Sequence, residues 1–177
     1  MIIQRLILIN WKNFQKADFQ LVNRNFIVGA NAAGKSNLLD VFRFLRDLVK
    51  QAGGLQYAVE ERGGVPKLRS LSARTETGIS IEIHLGEADT PSTPDWKYKL
   101  TFKNTGGGIQ KNEALVIEEK VWSKAAKKWV LDRNASEDKD TETRKFTFLE
   151  QINSNVEFRE VYYFLREIQY LTLYHNS

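Results

Sequence analysis

Eight consecutive residues, Gly29-Ala30-Asn31-Ala32-Ala33-Gly34-Lys35-Ser36, set glycines, a lysine and a hydroxyl at the spacing G-x-x-x-x-G-K-[ST]. Each fixed position has a physical task. The glycines admit backbone angles that a Cβ forbids, so successive N–H groups can turn inward around a phosphate. Lys35 offers a point charge to the β- and γ-phosphates and is the expected catalytic side chain. Ser36 offers its hydroxyl to Mg²⁺. A helix starting at this point aims its positive end at the same anion. The pattern therefore predicts binding of Mg-ATP. Gly29, Ala30, Asn31, Ala32, Ala33, Gly34, Lys35, Ser36 and Asn37 would surround the nucleotide, with Ser36 as the metal ligand. A glycine-rich turn with an incidental lysine is the plainer alternative, and the flanking elements decide against it.

Those elements are legible from hydrophobic periodicity. Phe26, Ile27 and Val28 predict a short strand running into the loop. Behind the loop, Leu38, Val41, Phe42, Leu45, Leu48 and Val49 recur at helical spacing, with Asp40, Arg43, Asp47 and Lys50 on the opposite face. Gly53 and Gly54 end that helix, and a shorter one is expected over residues 55–61, stopped by Gly63 and Gly64. Upstream, residues 2–9 and 17–22 read as strands. Downstream, Ile79, Ile81, Ile83 and Leu85 alternate with polar residues, as do Tyr98, Leu100 and Phe102. Residues 115–122 and 128–132 predict a hairpin across 123–127, and residues 144–149 a further strand, giving an antiparallel meander. Residues 158–168 read as a helix and 170–174 as a strand. Residues 104–110 and 135–143 are polar loops.

The bulk composition narrows the function classes. The chain has 177 residues, 42% of them hydrophobic and 27% charged, which suits one folded domain with a sizeable core. The absence of cysteine excludes disulfides, thiolate metal sites and cysteine catalysis. With only His84 and His175, a histidine-rich metal cluster is excluded too. The apolar start of the chain is too short for a secretory or membrane-spanning segment, so a cytoplasmic protein with no membrane partner is expected. A net charge of +4 tolerates a nucleic-acid partner without arguing for one. Lys97, Lys99 and Lys103 read as a solvated strand face, and Lys124, Lys127 and Lys128 as a soluble turn.

Other residues invite functional readings that the pattern does not support. Leu115-Val116-Ile117-Glu118-Glu119 superficially resembles a Walker B strand, but its acids fall in mid-strand, where pairing with nearby lysines is expected. His84 is expected to face solvent. Trp11, Trp96, Trp122 and Trp129 read as packing residues.

Ile9-Asn10-Trp11-Lys12-Asn13-Phe14, followed by Ile27-Val28-Gly29-Ala30-Asn31-Ala32-Ala33-Gly34-Lys35-Ser36-Asn37-Leu38-Leu39-Asp40, resembles the N-terminus of RecF/SMC/OLD-type ATPases. More narrowly, it resembles AAA-family proteins with an ABC-type head. The resemblance is strong over residues 1–49 and only architectural beyond. It implies that Asn31 sits by the phosphates and that Lys12 and Asn13 border the nucleotide. Ala32, Ala33 and Trp11 depart from the usual glycine, serine or alanine, and phenylalanine. It further implies an α/β fold: a P-loop NTPase core over residues 1–52, an antiparallel β-rich region over 78–150, and a helix and strand returning to the core over 155–177. Residues 53–177 contain no signature loop, Walker B strand or switch histidine. The chain therefore reads as the N-terminal lobe of such a head with its second lobe absent, nearly inactive alone. Implied partners are that C-terminal lobe, a second copy in a homodimer, and DNA or a nuclease, in DNA repair, chromosome maintenance or phage defence. A non-catalytic nucleotide-bound module is the alternative. A small GTPase or kinase fits less well, because N-K-x-D, D-x-x-G and an arginine-rich lid are missing.

Overall fold

The computed structural model describes residues 1–70, 78–87, 93–105, 113–136 and 140–170. Residues 171–174 of the strand expected over 170–174, His175, residues 106–110 of the first polar loop and 137–139 of the acidic one lie outside the described residues.

A hairpin opens the chain. β1 (Ile2–Trp11) pairs antiparallel with β2 (Phe14–Gln20), and Trp11 opposite Phe14 leaves only Lys12 and Asn13 to turn the corner. Lys12 makes that reversal in the left-handed region, at φ 49°. β3 (Ile79–Gly86) then pairs with the other edge of β1. β4 (Trp96–Asn104), β5 (Ala114–Ser123) and β6 (Lys128–Asn134) follow, giving a six-stranded antiparallel sheet in the order β2-β1-β3-β4-β5-β6. The β-rich region and the strands preceding the loop are thus one sheet.

Alternation sends one row of side chains inward from every central strand. Leu6, Ile83, Tyr98 and Val121 align across the sheet, and so do Leu8, Ile81 and Leu100, all of them fully buried. α1 (Lys35–Val49) lies over this face. Its anchor is Phe44, stacked on Phe102 at 5.5 Å and edge-on to Trp11 at 5.2 Å. Phe44 is fully buried, while Phe42, expected in the core, is only half-buried. Burying such a ring contributes about 2–3 kcal/mol. α2 (Leu55–Glu60), the single turn α3 (Val65–Leu68) and α4 (Arg159–Arg166) complete the helical layer. Gly54 N–H closes α1 by donating to Asp47 O at 3.0 Å.

The outer face carries charges in pairs. Arg5 meets Asp18 at 2.6 Å, and Glu118 takes both Lys99 and Lys120, as the lysine pairing predicts for that acid. His84 departs from expectation. It points to this face but is only 8% exposed, since Arg5 and Lys97 stand opposite it on the neighbouring strands and Glu82 Oε1 lies 2.7 Å from its Nε2. Long side chains on a flat sheet cover a ring that alternation alone would leave in water.

Two corrections share one cause. Residues 144–149 form no strand: Thr143–Lys145 is a single 3₁₀ turn, and the following backbone donors go to side chains. Phe148 N–H and Leu149 N–H donate to Glu119 at 2.7 and 3.0 Å, and Thr147 N–H donates to Glu150. Glu119 therefore does not pair with lysine. It points inward opposite Leu100, fully buried, with Tyr98 Oη donating at 3.1 Å and Arg133 at 3.8 Å.

Burial pushes the Glu119 carboxyl up, to about 7, although the two backbone N–H groups and Arg133 pull the other way. Glu150 is raised as well, chiefly by burial. The unfolded chain gives up the Glu119 proton near the ordinary glutamate value, whereas the folded chain holds it to higher pH. Stability contributed by this group is therefore complete below about pH 4.5 and is lost as pH rises to about 7, by about 3 kcal/mol. Urea midpoints of the wild type measured between those limits should fall with rising pH, and Glu119→Gln should flatten the trend. A wild-type midpoint that climbs across this window overturns the assignment.

Candidate nucleotide site

The hairpin tip, the glycine-rich loop and the first turn of α1 meet at one corner of the molecule. The indole of Trp11 fixes the hairpin to the helix, its Nε1–H donating to Asn37 O at 2.9 Å. Asn37 Nδ2 donates in turn to Asn13 Oδ1 at 2.8 Å. Asn13 thus lies against the loop, beside Gly34. Gly34 has φ 94°, and a Cβ added there would collide with the Asn13 amide. Ala32 is also left-handed, at φ 63°. The loop thus turns in the left-handed region at both Ala32 and Gly34, despite the alanine.

No side chain caps α1, whose N-cap is Gly34. The first-turn N–H groups of Lys35, Ser36 and Asn37 thus face the loop at the positive end of a 15-residue helix. Gly29 to Ala33 and Ser36 are exposed, Lys35 and Asn37 half-buried. Lys35 Nζ sits at the loop mouth, donating to Gly29 O at 2.5 Å and Ala30 O at 2.7 Å. The left-handed turn of the loop, the uncapped helix and the exposed hydroxyl fit a triphosphate with Mg²⁺. Lys35 would meet phosphate oxygens, and Ser36 would share the metal with the phosphates.

Gly34→Ala tests the close packing of the loop against Asn13. The left-handed backbone costs an alanine about 1–2 kcal/mol, and Asn13 must move as well. Weaker Mg-ATP binding by calorimetry, with a lower urea midpoint, is expected. Unchanged affinity would show that the close approach of Asn13 does not shape the site.

Lys12 is placed differently from Asn13. Its Nζ pairs with Asp40 Oδ2 at 2.7 Å, one turn into α1. Asp40 also accepts from Arg62 Nε, and Arg62 Nη1 reaches Asp47 at 3.0 Å. Burial opposes ionisation of Asp40, but the hydrogen bonds from Lys12 and Arg62 hold its carboxyl below the usual range. This half-buried chain of charges places Asp47 inside, where the sequence put it outside. Asp40, five residues after Lys35, was visible as part of the motif. Arg62 lies 22 residues from Asp40 and has no local signal.

The strand expected before the loop is not paired. Phe26, Ile27 and Val28 are 90%, 41% and 89% exposed and hydrogen-bond to no strand among the described residues. Apolar residues form a strand only where a neighbour accepts their backbone groups, and β1 already has β2 and β3 on its two edges. With Val22, Phe42, Tyr163 and Ile168 they line an apolar groove of about 1360 Å³ beside α1 and α4.

A mixed α/β lobe with a P-loop at the head of its longest helix defines a nucleotide-binding domain of the AAA ATPase class. The family model described as "AAA domain, putative AbiEii toxin, Type IV TA system" matches residues 24–177, and the chain belongs to that family. No curated protein matches its sequence. Among solved structures, one described as "Structural biochemistry of ATP-driven dimerization and DNA stimulated activation of SMC ATPases" is 19% identical. That match covers 85% of this chain and 83% of the other, with a TM-score of 0.46. No helix among the described residues is long and apolar enough to cross a membrane.

Proposed function

We propose that the chain binds Mg-ATP at residues 29–37, with Lys35 on the β- and γ-phosphates, Ser36 on the metal, and Asn13 and Lys12 bordering the nucleotide. The observation that carries the reading is the uncapped N-terminus of α1 behind the left-handed Gly34, which is packed against Asn13. Bound Mg²⁺ would neutralise charge developing on the γ-phosphate. The chain's own residues hold the phosphates and fix the loop through the Trp11–Asn37–Asn13 contacts.

Turnover requires groups that position water, and these come from a second lobe and a second copy of the head. The apolar groove supports this reading, because contiguous exposed hydrophobic surface of that kind marks an interaction site. ATP sandwiched between two heads holds them together, and hydrolysis then separates them. Defence against phage accords with a family named for a toxin of a toxin–antitoxin system, and the partner in that setting is DNA or a nuclease.

A calorimetric titration of Mg-ATP into the 177-residue chain tests the proposal, run beside a phosphate-release assay. Binding with negligible release is expected. Absence of binding overturns the nucleotide assignment, and rapid release by dilute monomer overturns the need for a second surface.

A further inference from the structure

A second pocket, of about 420 Å³, opens on the charged side of α1 and is lined by charged residues and tyrosines. Arg43, Arg46 and Lys50 follow one another at helical spacing and share its wall, with Tyr57 of α2 and Tyr170 across from them. The buried acids are already satisfied: Asp40 by Lys12 and Arg62, and Asp47 by Arg62 at 3.0 Å. Arg46 and Lys50 add only long contacts to Asp47, at 3.5 and 3.9 Å. Arg43 has no ion pair among the described residues and lies 3.5 Å from the centre of the Tyr170 ring.

The charge balance decides what such a pocket can hold. Its lining sets Arg43, Arg46, Lys50 and Arg62 against Asp40, Asp47 and Glu61, and Lys12 adds a further cation to Asp40 from behind. The excess is positive and sits on the three residues with the weakest commitments. Cations in a last turn also complement the helix dipole, which accounts for Arg46 and Lys50. It does not account for Arg43, which is further back on the helix, or for the two tyrosines. Tyr57 Oη lies 2.5 Å from Lys50 Nζ, so its hydroxyl fixes that ammonium at the pocket wall. Arg43 is fixed likewise by Tyr170. Pre-set guanidinium and ammonium groups around an open polar cavity suit phosphate oxygens.

We propose that the pocket walled by Arg43, Arg46, Lys50 and Tyr57 binds a phosphate group, as presented by a nucleic-acid backbone or by a free phosphate. The test removes the P-loop contribution first, by working in the Lys35→Ala background. Two probes are used: a fluorescein-labelled single-stranded oligonucleotide read by anisotropy, and inorganic phosphate read by calorimetry. The pocket variant Arg43→Ala, Arg46→Ala, Lys50→Ala is compared with Lys124→Ala, Lys127→Ala, Lys128→Ala, which removes the same charge from the β5–β6 turn.

Oligonucleotide binding weakened about tenfold in the pocket variant alone, with a shallower salt dependence, is the expected result and identifies a phosphodiester as the source. Phosphate binding lost in the pocket variant, without oligonucleotide binding by either protein, supports the pocket with free phosphate as its source. Equal weakening in both triple variants, or no binding of either probe before mutation, overturns the proposal. Circular dichroism of the pocket variant guards against unfolding, and Arg43→Gln alone supplies a milder lesion that should weaken binding in the same direction.

Discussion

Lys35→Ala should weaken Mg-ATP binding roughly a hundredfold, about 3 kcal/mol, and leave the fold unchanged. The two halves of that expectation rest on different observations. The loss in affinity follows from removing an ammonium held at the loop mouth, where it is placed for a charge-assisted contact to phosphate oxygens. Lys12 is committed to Asp40 at 2.7 Å. The unchanged fold follows from what Lys35 touches, namely two carbonyls of an exposed loop rather than the core. Losing such bonds costs well under about 1 kcal/mol. Calorimetry reads the affinity and urea unfolding reads the stability. Equal ATP affinity in wild type and variant would falsify the nucleotide assignment. A collapsed urea midpoint would instead show Lys35 to be structural.

Replacement of Glu119 by alanine should be the most damaging single change, at about 4 kcal/mol. Its carboxylate is fully buried and accepts from Phe148 N–H, Leu149 N–H and Tyr98 Oη, with Arg133 3.8 Å away. Alanine leaves those donors without an acceptor, in a place water cannot reach, and opens a cavity beneath β5. Against a typical domain stability of about 5–15 kcal/mol, that loss is enough to populate unfolded chain at moderate temperature. Glu119→Gln keeps one acceptor oxygen but turns an NH₂ towards a donor, so its loss should be intermediate. The segment after the Thr143–Lys145 turn hangs on this carboxylate and should exchange its amide protons fastest in the alanine variant. A urea midpoint within about 1 kcal/mol of wild type would overturn this account of the buried carboxyl.

The P-loop, α1 and the alternation of β3 and β4 were legible because they are local. A G-x-x-x-x-G-K-S run, a 3.6-residue period and a two-residue period each constrain a few neighbours, and Leu38, Val41, Leu45 and Leu48 are buried as their spacing requires. Pairing was not local. Phe26 to Val28 carry strand-like side chains, but a strand exists only where a partner accepts its backbone groups, and both edges of β1 were already taken by β2 and β3.

Glu119 shows the same division at one residue. Its phase matched Val121, an inward position, but a register shift in the β4–β5 pairing and the absence of any local sign of its donors hid the burial. Those donors arrive from residues 29 and 30 positions further along the chain. Asp47 was likewise assigned to water by helical periodicity and drawn inside by Arg62, 15 residues away. Sequence by itself determined where the glycine-rich loop gives way to α1 and most of that helix's apolar face. Tertiary structure alone decided which polar groups are buried, because a buried charge is set by partners that only folding brings within hydrogen-bond reach.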